Sequence, residues 1–290
     1  MLRVRRLIRR IVPFSLRWRL RLVRRRLSDD MRRTRFARTR QDARAFPVLI
    51  CRYERPLICY PGQEHRFAGK QHNCTLVLRA CDDLVIEPNE TFSFWDCIGR
   101  PTQKRGFLPA AALKDGRLVE DIGGAVCLAS TLLYNVGLLS GMAIVERRCH
   151  SVDSYGAARY FELGRDAAVE YAYLDLRLRN DFASPLLLRS RIEDDAVIAE
   201  IWSDRALGIS VEIVVGVAVI TPPTTVVVRD ASLGRDDVVV ADAGATGVRV
   251  HTSRMVRSPN GPERFDDLGI SIHHSWPRRE RRGAESSVRL

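Results

Sequence analysis

The stretch of sequence that decides the fold is DIGGAVCLASTLLYNVGLLSGMAIVERRCHS, residues 121–151. Its glycine pair, Gly123-Gly124, permits a tight turn in which two backbones approach closely. After this turn, apolar residues at the spacing of one helical face predict a helix from Ala125 that ends at Gly141; they are Leu128, Leu132, Leu133, Val136 and Leu139. Residues 143–150 then predict a strand that returns along this helix.

Cys127 lies in the first turn of this predicted helix. The unpaired amides and the positive dipole end of a helix stabilise a thiolate at such a position. We expect the returning strand to place His150 beside the start of the helix, which makes the two residues candidates for nucleophilic catalysis. Three roles remain open for the cysteine: a nucleophile, a metal ligand, or a small buried hydrophobe.

The sequence on either side predicts a mixed fold. Residues from Asn73 to Leu84 have helical spacing, with Asn73 placed as the cap. Alternation from Asp166 to Asp181 predicts a strand that carries Asp175 in its middle. A hairpin is predicted next, from Pro185 to Ile192 and from Val197 to Trp202. A helix followed by a series of strands indicates the α+β class.

The composition is that of an ordinary folded protein. Of 290 residues, 46% are hydrophobic and 28% are charged, which excludes a mainly disordered or fibrous chain. The seven cysteines are an odd number without CxxC pairs, so we expect reduced thiols rather than a disulfide framework. Paired zinc-ligand spacing is absent too, and the sequence predicts no cofactor. A metal site made by Glu146 or Asp153 with His150 and Cys149 stays open, without paired spacing to support it. No apolar run approaches the ~20 residues of a membrane span.

Positive charge is concentrated in residues 1–45, which we call the basic arm. The arm holds 17 Arg and 3 Asp, a local charge of +14, so the +12 of the whole chain leaves −2 for the rest. Arginines interrupt any apolar core of a signal peptide. Apolar residues recur at helical spacing on both sides of Pro13, which predicts a pair of basic amphipathic helices; they are Leu7, Ile8, Ile11, Val12, Leu16, Leu20, Val23 and Leu27.

Three alternatives are open for the surface that the basic arm contacts. It can lie in the headgroup plane of an anionic membrane, with Phe14 and Trp18 inserted among the lipids. It can instead pack its apolar stripe on the body of the protein. Nucleic acid is the third partner, which the large aliphatic surface of the arm disfavours. The first alternative predicts a cytoplasmic protein attached peripherally to the membrane, and the oligomeric state is left open.

Four sequence motifs carry a family resemblance. They are PNETFSFWDCIGRPTQKRGF, GGAVCLASTLLYN, VERRCHSVDSY and GRDAAVEYAYLDLRLRND. In this order they resemble the VanW family, named for a protein of the type B vancomycin-resistance clusters, over residues 46–203. The sequence departs from the family pattern at Leu128, where the family commonly has Gln, and at Cys149, which stands in a place that is often basic.

The resemblance implies a protein of the cell envelope that is linked to glycopeptide resistance, with a cell-wall peptide as its substrate. Papain-like and transglutaminase-like thiol enzymes use a cysteine, a histidine and an acid in this chain order. By that analogy Cys127 attacks a carbonyl, His150 moves the proton and Asp175 orients the imidazole, in an acyl-transferase or amidase reaction. The alternative for Asp175 is a buried partner of Arg177 or Arg165. Backbone amides near the glycine pair and the cysteine would hold the oxyanion. The candidate substrate-binding residues are Gly124, Ser130, Tyr134, Ser151 and Asp153.

The C-terminal residues 217–285 predict a small antiparallel β module. Runs such as TPPTTVVVRD, DVVVAD, GVRVHTSRMVRS and LGISIHH alternate apolar with polar residues between turn signals. They resemble a degenerate G5 module, whose family is thought to bind amino-sugar polymers. The expected domains are therefore the arm (1–45), a VanW-like body (46–203) and this module, with His273 and His274 at a solvated end. The alternative function is non-catalytic binding of peptidoglycan or another glycan.

Overall fold

The structure is a computed structural model that describes residues 14–114, 117–258 and 262–283. Residues 1–13 of the basic arm lie outside the described residues. The α-helices are α1 (Phe14–Met31), α2 (Glu64–Cys81), α3 (Phe94–Ile98) and α4 (Val126–Leu139). Helix α4 confirms the helix predicted after the glycine pair. Within the described ranges, no helix is long and apolar enough to span a bilayer.

The strands of the body form two four-stranded sheets and one separate pair. They are β1 (Arg35–Phe36), β2 (Val48–Pro56), β3 (Leu84–Ile86), β4 (Glu90–Ser93), β5 (Pro109–Lys114), β6 (Arg117–Ile122), β7 (Ala143–Glu146), β8 (Arg177–Arg179), β9 (Leu186–Glu193) and β10 (Ala196–Ser203). One sheet has the order β1-β4-β8-β7 and the other β2-β10-β9-β3, while β5 pairs with β6. β9 and β10 confirm the predicted hairpin.

The C-terminal strands form a second, all-β region, as the sequence predicts. They are β11 (Ser210–Val215), β12 (Val219–Thr221), β13 (Thr225–Asp230), β14 (Val238–Asp242), β15 (Gly247–Arg257), β16 (Arg264–His273) and β17 (Arg278–Gly283). β15 pairs with β11, β12 and β16, and β17 pairs with β13 and β14. Together with the helices and sheets of the body, these strands confirm the α+β class.

Helix α4 is the centre of the core. It contacts strands β2, β7 and β10 of the body, helix α2, and β11 of the C-terminal region. Apolar residues such as Leu132 and Val136 are fully buried, and so are polar residues such as Asn135. A helix that is apolar around most of its circumference needs partners on all sides, and α4 has them. Its position relative to both regions is therefore fixed.

Helix α2 begins at Glu64, well before the predicted cap Asn73. Asn73 is instead fully buried inside the helix. Its side-chain amide donates to the carbonyl oxygens of Leu108, at 2.9 Å, and Gly124, at 3.0 Å, and its Oδ1 accepts the Leu108 amide at 2.9 Å. A side chain that is common in helix caps is used here to bind the backbone of the glycine-pair loop.

The strand predicted from Asp166 to Asp181 is wrong over most of its length. Only Arg177–Arg179 forms the strand β8, and the chain before it is mainly irregular. The strand predicted over residues 143–150 likewise ends at Glu146. Buried carboxylates explain why these segments are irregular. Asp166 and Asp175 each accept a hydrogen bond from a backbone amide of another segment, and these bonds replace the strand-to-strand bonds of a sheet.

Candidate active site

The glycine pair forms a loop that packs closely against strand β5. A Cβ atom on Gly124 would lie 2.2 Å from the carbonyl oxygen of Ala110, so only glycine fits there. Ala125, the N-cap of helix α4, has a φ of 69°. The Gly124 amide donates to the carbonyl oxygen of Asp121 at 3.0 Å. This amide is therefore engaged in the turn, which corrects its expected place in the oxyanion site.

Cys127 and His150 line the same cavity beside the start of helix α4. The partly exposed Cys127 thiol lies close enough to the His150 ring to raise the pKa of that histidine. Nδ1 of that ring lies 2.7 Å from Oδ2 of Asp166, which also accepts the His150 backbone amide at 2.7 Å. The other ring nitrogen, Nε2, lies 3.5 Å from the Tyr160 hydroxyl. A cysteine, a histidine and an acid thus lie at one site.

Asp166 is the acid of this group, and its carboxylate is fully buried. Arg147 also binds it, with Nη2 3.0 Å from Oδ1. Burial alone would raise the pKa of Asp166, but the hydrogen bond and charge of His150, together with the charge of Arg147, lower it to about 2. Burial lowers the pKa of His150, but hydrogen bonds to Asp166 and Cys127 raise it to about 10. At neutral pH the site therefore holds an imidazolium bound to a buried carboxylate.

Asp175 does not meet the histidine, which corrects the role expected for it. One carboxylate oxygen accepts the Ser93 hydroxyl at 2.7 Å and Nε of Arg177 at 2.9 Å. The other accepts the Trp95 amide at 3.1 Å. Burial raises the pKa of Asp175 in spite of these hydrogen bonds. Asp175 thus joins the start of helix α3 to strand β8.

The remaining candidate binding residues fall into two groups. Gly124 and Ser151 line the cavity beside the thiol. Ser130 and Tyr134 are fully buried in helix α4 and are not among the described residues that line this cavity. The Ser130 hydroxyl donates to the carbonyl oxygen of Ala167 at 2.6 Å, and this bond holds the segment that carries the buried acid against the helix.

Asp153 is also a structural residue rather than part of the cavity wall. One oxygen lies 2.7 Å from Nη2 of Arg159. The other accepts the amides of Tyr155, at 3.1 Å, and Gly156, at 3.2 Å. Asp153 therefore shapes the loop after His150. Among the residues that the structure describes, no three His, Cys, Asp or Glu side chains come together as ligands for a metal ion.

A cavity of about 1160 Å³ lies beside the Cys127 thiol. Basic side chains of Lys70 and Arg100 contribute to its wall. Aromatic side chains form much of the rest; they include Trp18, Tyr60, Trp95, Tyr155, Tyr160 and Tyr171. Concave sites of this kind, mainly apolar with a few polar groups, are typical of ligand-binding pockets.

The C-terminal region contributes to the site, which corrects the solvated position expected for His273. This residue, at the end of β16, is fully buried, and its Nε2 lies 3.6 Å from Oδ1 of Asp166. Its ring stacks on Phe161, with centroids 5.8 Å apart, and Phe161 stacks on His150 at the same distance. Burial lowers the pKa of His273, so its ring is neutral beside the His150 cation. His274, by contrast, is exposed, as expected.

Arg254 of strand β15 binds the opposite end of helix α4. Its fully buried guanidinium donates to the carbonyl oxygens of Leu138, at 2.9 Å, and Met142, at 2.8 Å, and pairs with Asp266 at 2.5 Å. A cation at a helix C-terminus complements the helix dipole. The helix that carries the candidate nucleophile is thus fixed by the C-terminal region at its far end.

The fold and the site together define an α+β protein with a cysteine, a histidine and an aspartate grouped beside an aromatic cavity. Residues 69–202 match the model of the family described as VanW like protein. Over these residues the chain is similar to the VanW family, as its motifs indicated. Cys127, His150 and Asp166 all lie within the matched residues.

Two curated relatives match the same part of the chain. The uncharacterized protein YoaR of Bacillus subtilis is 34% identical over 139 residues, which cover 48% of this chain and 45% of that protein. The vancomycin B-type resistance protein VanW of Enterococcus faecalis is 28% identical over 138 residues, which cover 47% of this chain and 50% of that protein. The chain spans about half the length of the curated relatives it matches.

Two solved G5 structures are similar to a smaller part of the chain. The IgA1 protease G5 domain is 14% identical and covers 27% of this chain and 92% of its own, with a TM-score of 0.21. The HP0197-G5 structure is 17% identical and covers 26% and 97%, with a TM-score of 0.17. TM-scores this low do not establish a shared fold, so the resemblance of the C-terminal strands to a G5 module stays a prediction.

Proposed function

We propose that this protein is a cysteine-dependent acyl transferase or amidase. The observation that carries the proposal is the placement of Cys127 and His150 on one cavity wall, with the His150 ring bound to the buried Asp166 carboxylate at 2.7 Å. An imidazolium beside a thiol favours the thiolate, and an acid that fixes the imidazole completes the arrangement of thiol enzymes. Asp166 takes the role first expected of Asp175.

In the proposed reaction the Cys127 thiolate attacks the carbonyl carbon of an amide and forms a new S–C bond. His150 protonates the leaving nitrogen as the C–N bond breaks, which leaves a thioester on the enzyme. Water or an acceptor amine then attacks the thioester, His150 takes up the proton, and the thiolate leaves. The Cys127 amide lies in the first turn of helix α4, where amides lack acceptors within the helix, and it is the proposed oxyanion donor.

A peptide of the cell wall is the proposed substrate. One relative carries the name of a vancomycin B-type resistance protein, and the family resemblance implies a cell-wall peptide. The cavity suits such a ligand, because its aromatic walls pack against apolar faces while Lys70 and Arg100 attract carboxylates.

The test is the rate at which iodoacetamide labels each cysteine of the folded protein, followed by peptide mass spectrometry. At pH 7 Cys127 should react faster than Cys59, although Cys59 is the more exposed of the two. His150→Gln should remove that advantage and leave the rate of Cys59 unchanged. Labelling of Cys127 at the rate of Cys59, or more slowly, would contradict the proposal.

A second candidate function is binding of a wall peptide or glycan without chemistry. Two observations favour it: the aromatic lining of the cavity, and Leu128, an apolar, buried residue where the family commonly has Gln. Sedimentation with purified cell wall, followed by analysis of released products, separates the two functions. Binding by the wild type and by Cys127→Ala, without products from either, supports this candidate, and a failure of both to sediment rejects it.

A further inference from the structure

Helix α1 packs on the body through a face that carries charged residues and Trp18. On this inner face Arg25 pairs with Glu146 at 2.6 Å, and Asp29 pairs with Arg177 at 2.6 Å. The Arg21 guanidinium lies 4.0 Å from the centre of a tyrosine ring of the body. This packing is the reverse of the alternative in which the apolar stripe of the arm covers the body.

The aliphatic residues of helix α1 lie on the opposite face and are exposed. They recur every three or four positions, so they form one stripe along the helix. Between 46% and 80% of each residue is exposed, and the five are Leu16, Leu20, Val23, Leu27 and Met31. Helical geometry places the exposed Arg19 and Arg26 along one border of the stripe and the exposed Arg24 along the other.

We propose that this stripe docks the protein on a bilayer that contains anionic lipids. Aliphatic side chains bordered by guanidinium groups match the two layers of such a surface, the acyl chains and the phosphate headgroups. The local charge of +14 on residues 1–45 favours this occupant. A second copy of the chain would instead bring the arginine borders of two stripes together, where their like charges repel.

The docked helix also belongs to the candidate active site. Trp18 lies on its inner face, lines the cavity, and has its ring centroid 6.2 Å from that of Tyr171. One helix thus carries the membrane surface on one side and a wall of the cavity on the other. The protein is peripherally attached, with its cavity held close to the headgroups.

Co-sedimentation of the full chain with vesicles tests the proposal. The vesicles contain equal parts of phosphatidylglycerol and phosphatidylcholine, at physiological and at high salt. The wild type should pellet with them, and part of the binding should survive high salt, because salt screens charge attraction but not apolar insertion. Leu20→Glu/Leu27→Glu should lose the salt-resistant part and bind about tenfold more weakly or worse.

The matched control is Val217→Glu/Val219→Glu. It makes the same change of charge at two exposed aliphatic residues of the C-terminal region, which are 94% and 61% exposed, and it should bind like the wild type. All four replaced residues are exposed, so both variants should keep the wild-type circular dichroism spectrum.

Four results would overturn the proposal. They are failure of the wild type to pellet, equal pelleting of the wild type and Leu20→Glu/Leu27→Glu, an equal loss of binding in the control variant, and tighter binding of RNA or DNA than of vesicles at matched salt. A dimer of the wild type that Leu20→Glu/Leu27→Glu dissociates in ultracentrifugation, without vesicle binding, would assign the stripe to a second copy.

Discussion

Replacing Asp166 by Asn removes the charge that holds His150 as a cation and keeps the size of the side chain. The carboxylate accepts two bonds from His150 at 2.7 Å and one from Arg147 at 3.0 Å. If Asp166 supplied the whole rise of the His150 pKa from its ordinary 6.5 to about 10, its loss would weaken the imidazolium by about 5 kcal/mol, which is the upper limit. Leaving the buried arginine without its anionic partner should lower the free energy of unfolding by about 3–5 kcal/mol.

The assay is the pH dependence of Cys127 alkylation. In the wild type His150 should keep its proton until near pH 10, so its charge should assist the reaction of Cys127 at every pH between neutral and that value, and the rate should change little. In Asp166→Asn that charge is lost, and an unassisted thiol is only about 3% thiolate at pH 7. The rate at pH 7 should therefore fall by up to about 30-fold and then rise about tenfold for the next pH unit.

Asp175→Asn is the matched control, because Asp175 is equally buried and also pairs with an arginine, Arg177, at 2.9 Å. It should lower the free energy of unfolding without changing the pH profile of Cys127. The reasoning is refuted if Asp166→Asn, shown to be folded by near-ultraviolet circular dichroism, keeps the wild-type profile, or if both variants change the profile alike.

Three further predictions concern stability, measured by urea denaturation. Gly124→Ala should lower the free energy of unfolding by about 3 kcal/mol, because its Cβ would lie 2.2 Å from a backbone oxygen. The control Gly62→Ala has open space but a positive φ and should cost only about 1 kcal/mol, so equal losses would contradict the argument. His273→Phe should keep the free energy of unfolding within about 1.5 kcal/mol of the wild type because Phe keeps the ring stack, whereas His273→Ala should lower it by about 3 kcal/mol. An equal loss in both variants would show that the ring nitrogens of His273 matter more than its volume. The pKa of Asp166 is lowered from 3.8 to about 2, so the carboxylate should add about 2 kcal/mol to the free energy of unfolding above pH 4, a contribution that is lost as the pH falls through 2. The same decrease of the free energy of unfolding with falling pH in Asp166→Asn would disprove this.

Local sequence patterns predicted the parts of the site that depend on short-range structure. Helix α4 follows from the spacing of its apolar residues, and the glycine pair before it follows from the need for a close turn. The placement of Cys127 and His150 on the wall of one cavity was predictable because the chain turns back directly after the helix. In each case a few neighbouring residues contain the information.

The choice between two acids could not be made from such patterns. Asp166 and Asp175 lie in the same motif, and an alternation rule favoured Asp175 as a carboxylate in mid-strand. The segment is irregular, however, and each acid is defined by a partner from elsewhere: His150 for one and Ser93 for the other. Burial of a carboxylate depends on tertiary contacts, which one sequence does not reveal.

Arg254 and His273 were missed for the same reason, although one signal was available. Arg254 stands at an inward position of the alternation in β15, together with Val248, Val250 and Val256, all of which are buried. An arginine in such a series indicates a buried cation that needs a partner. The alternation does not show that the partner is the end of helix α4.

The contacts made by Arg254 have a consequence for the order of folding. The arginine binds a carbonyl 116 positions earlier in the chain, and His273 lies beside Asp166, a residue that is synthesised long before it. Contacts over such distances along the chain form late. During synthesis, helix α4 and its thiol leave the ribosome well before the strands that fix the helix and cover the buried acid. The surroundings of Asp166 are therefore complete only after β16 has been made, and a polypeptide interrupted before β15 would lack the contacts that Arg254 and His273 supply.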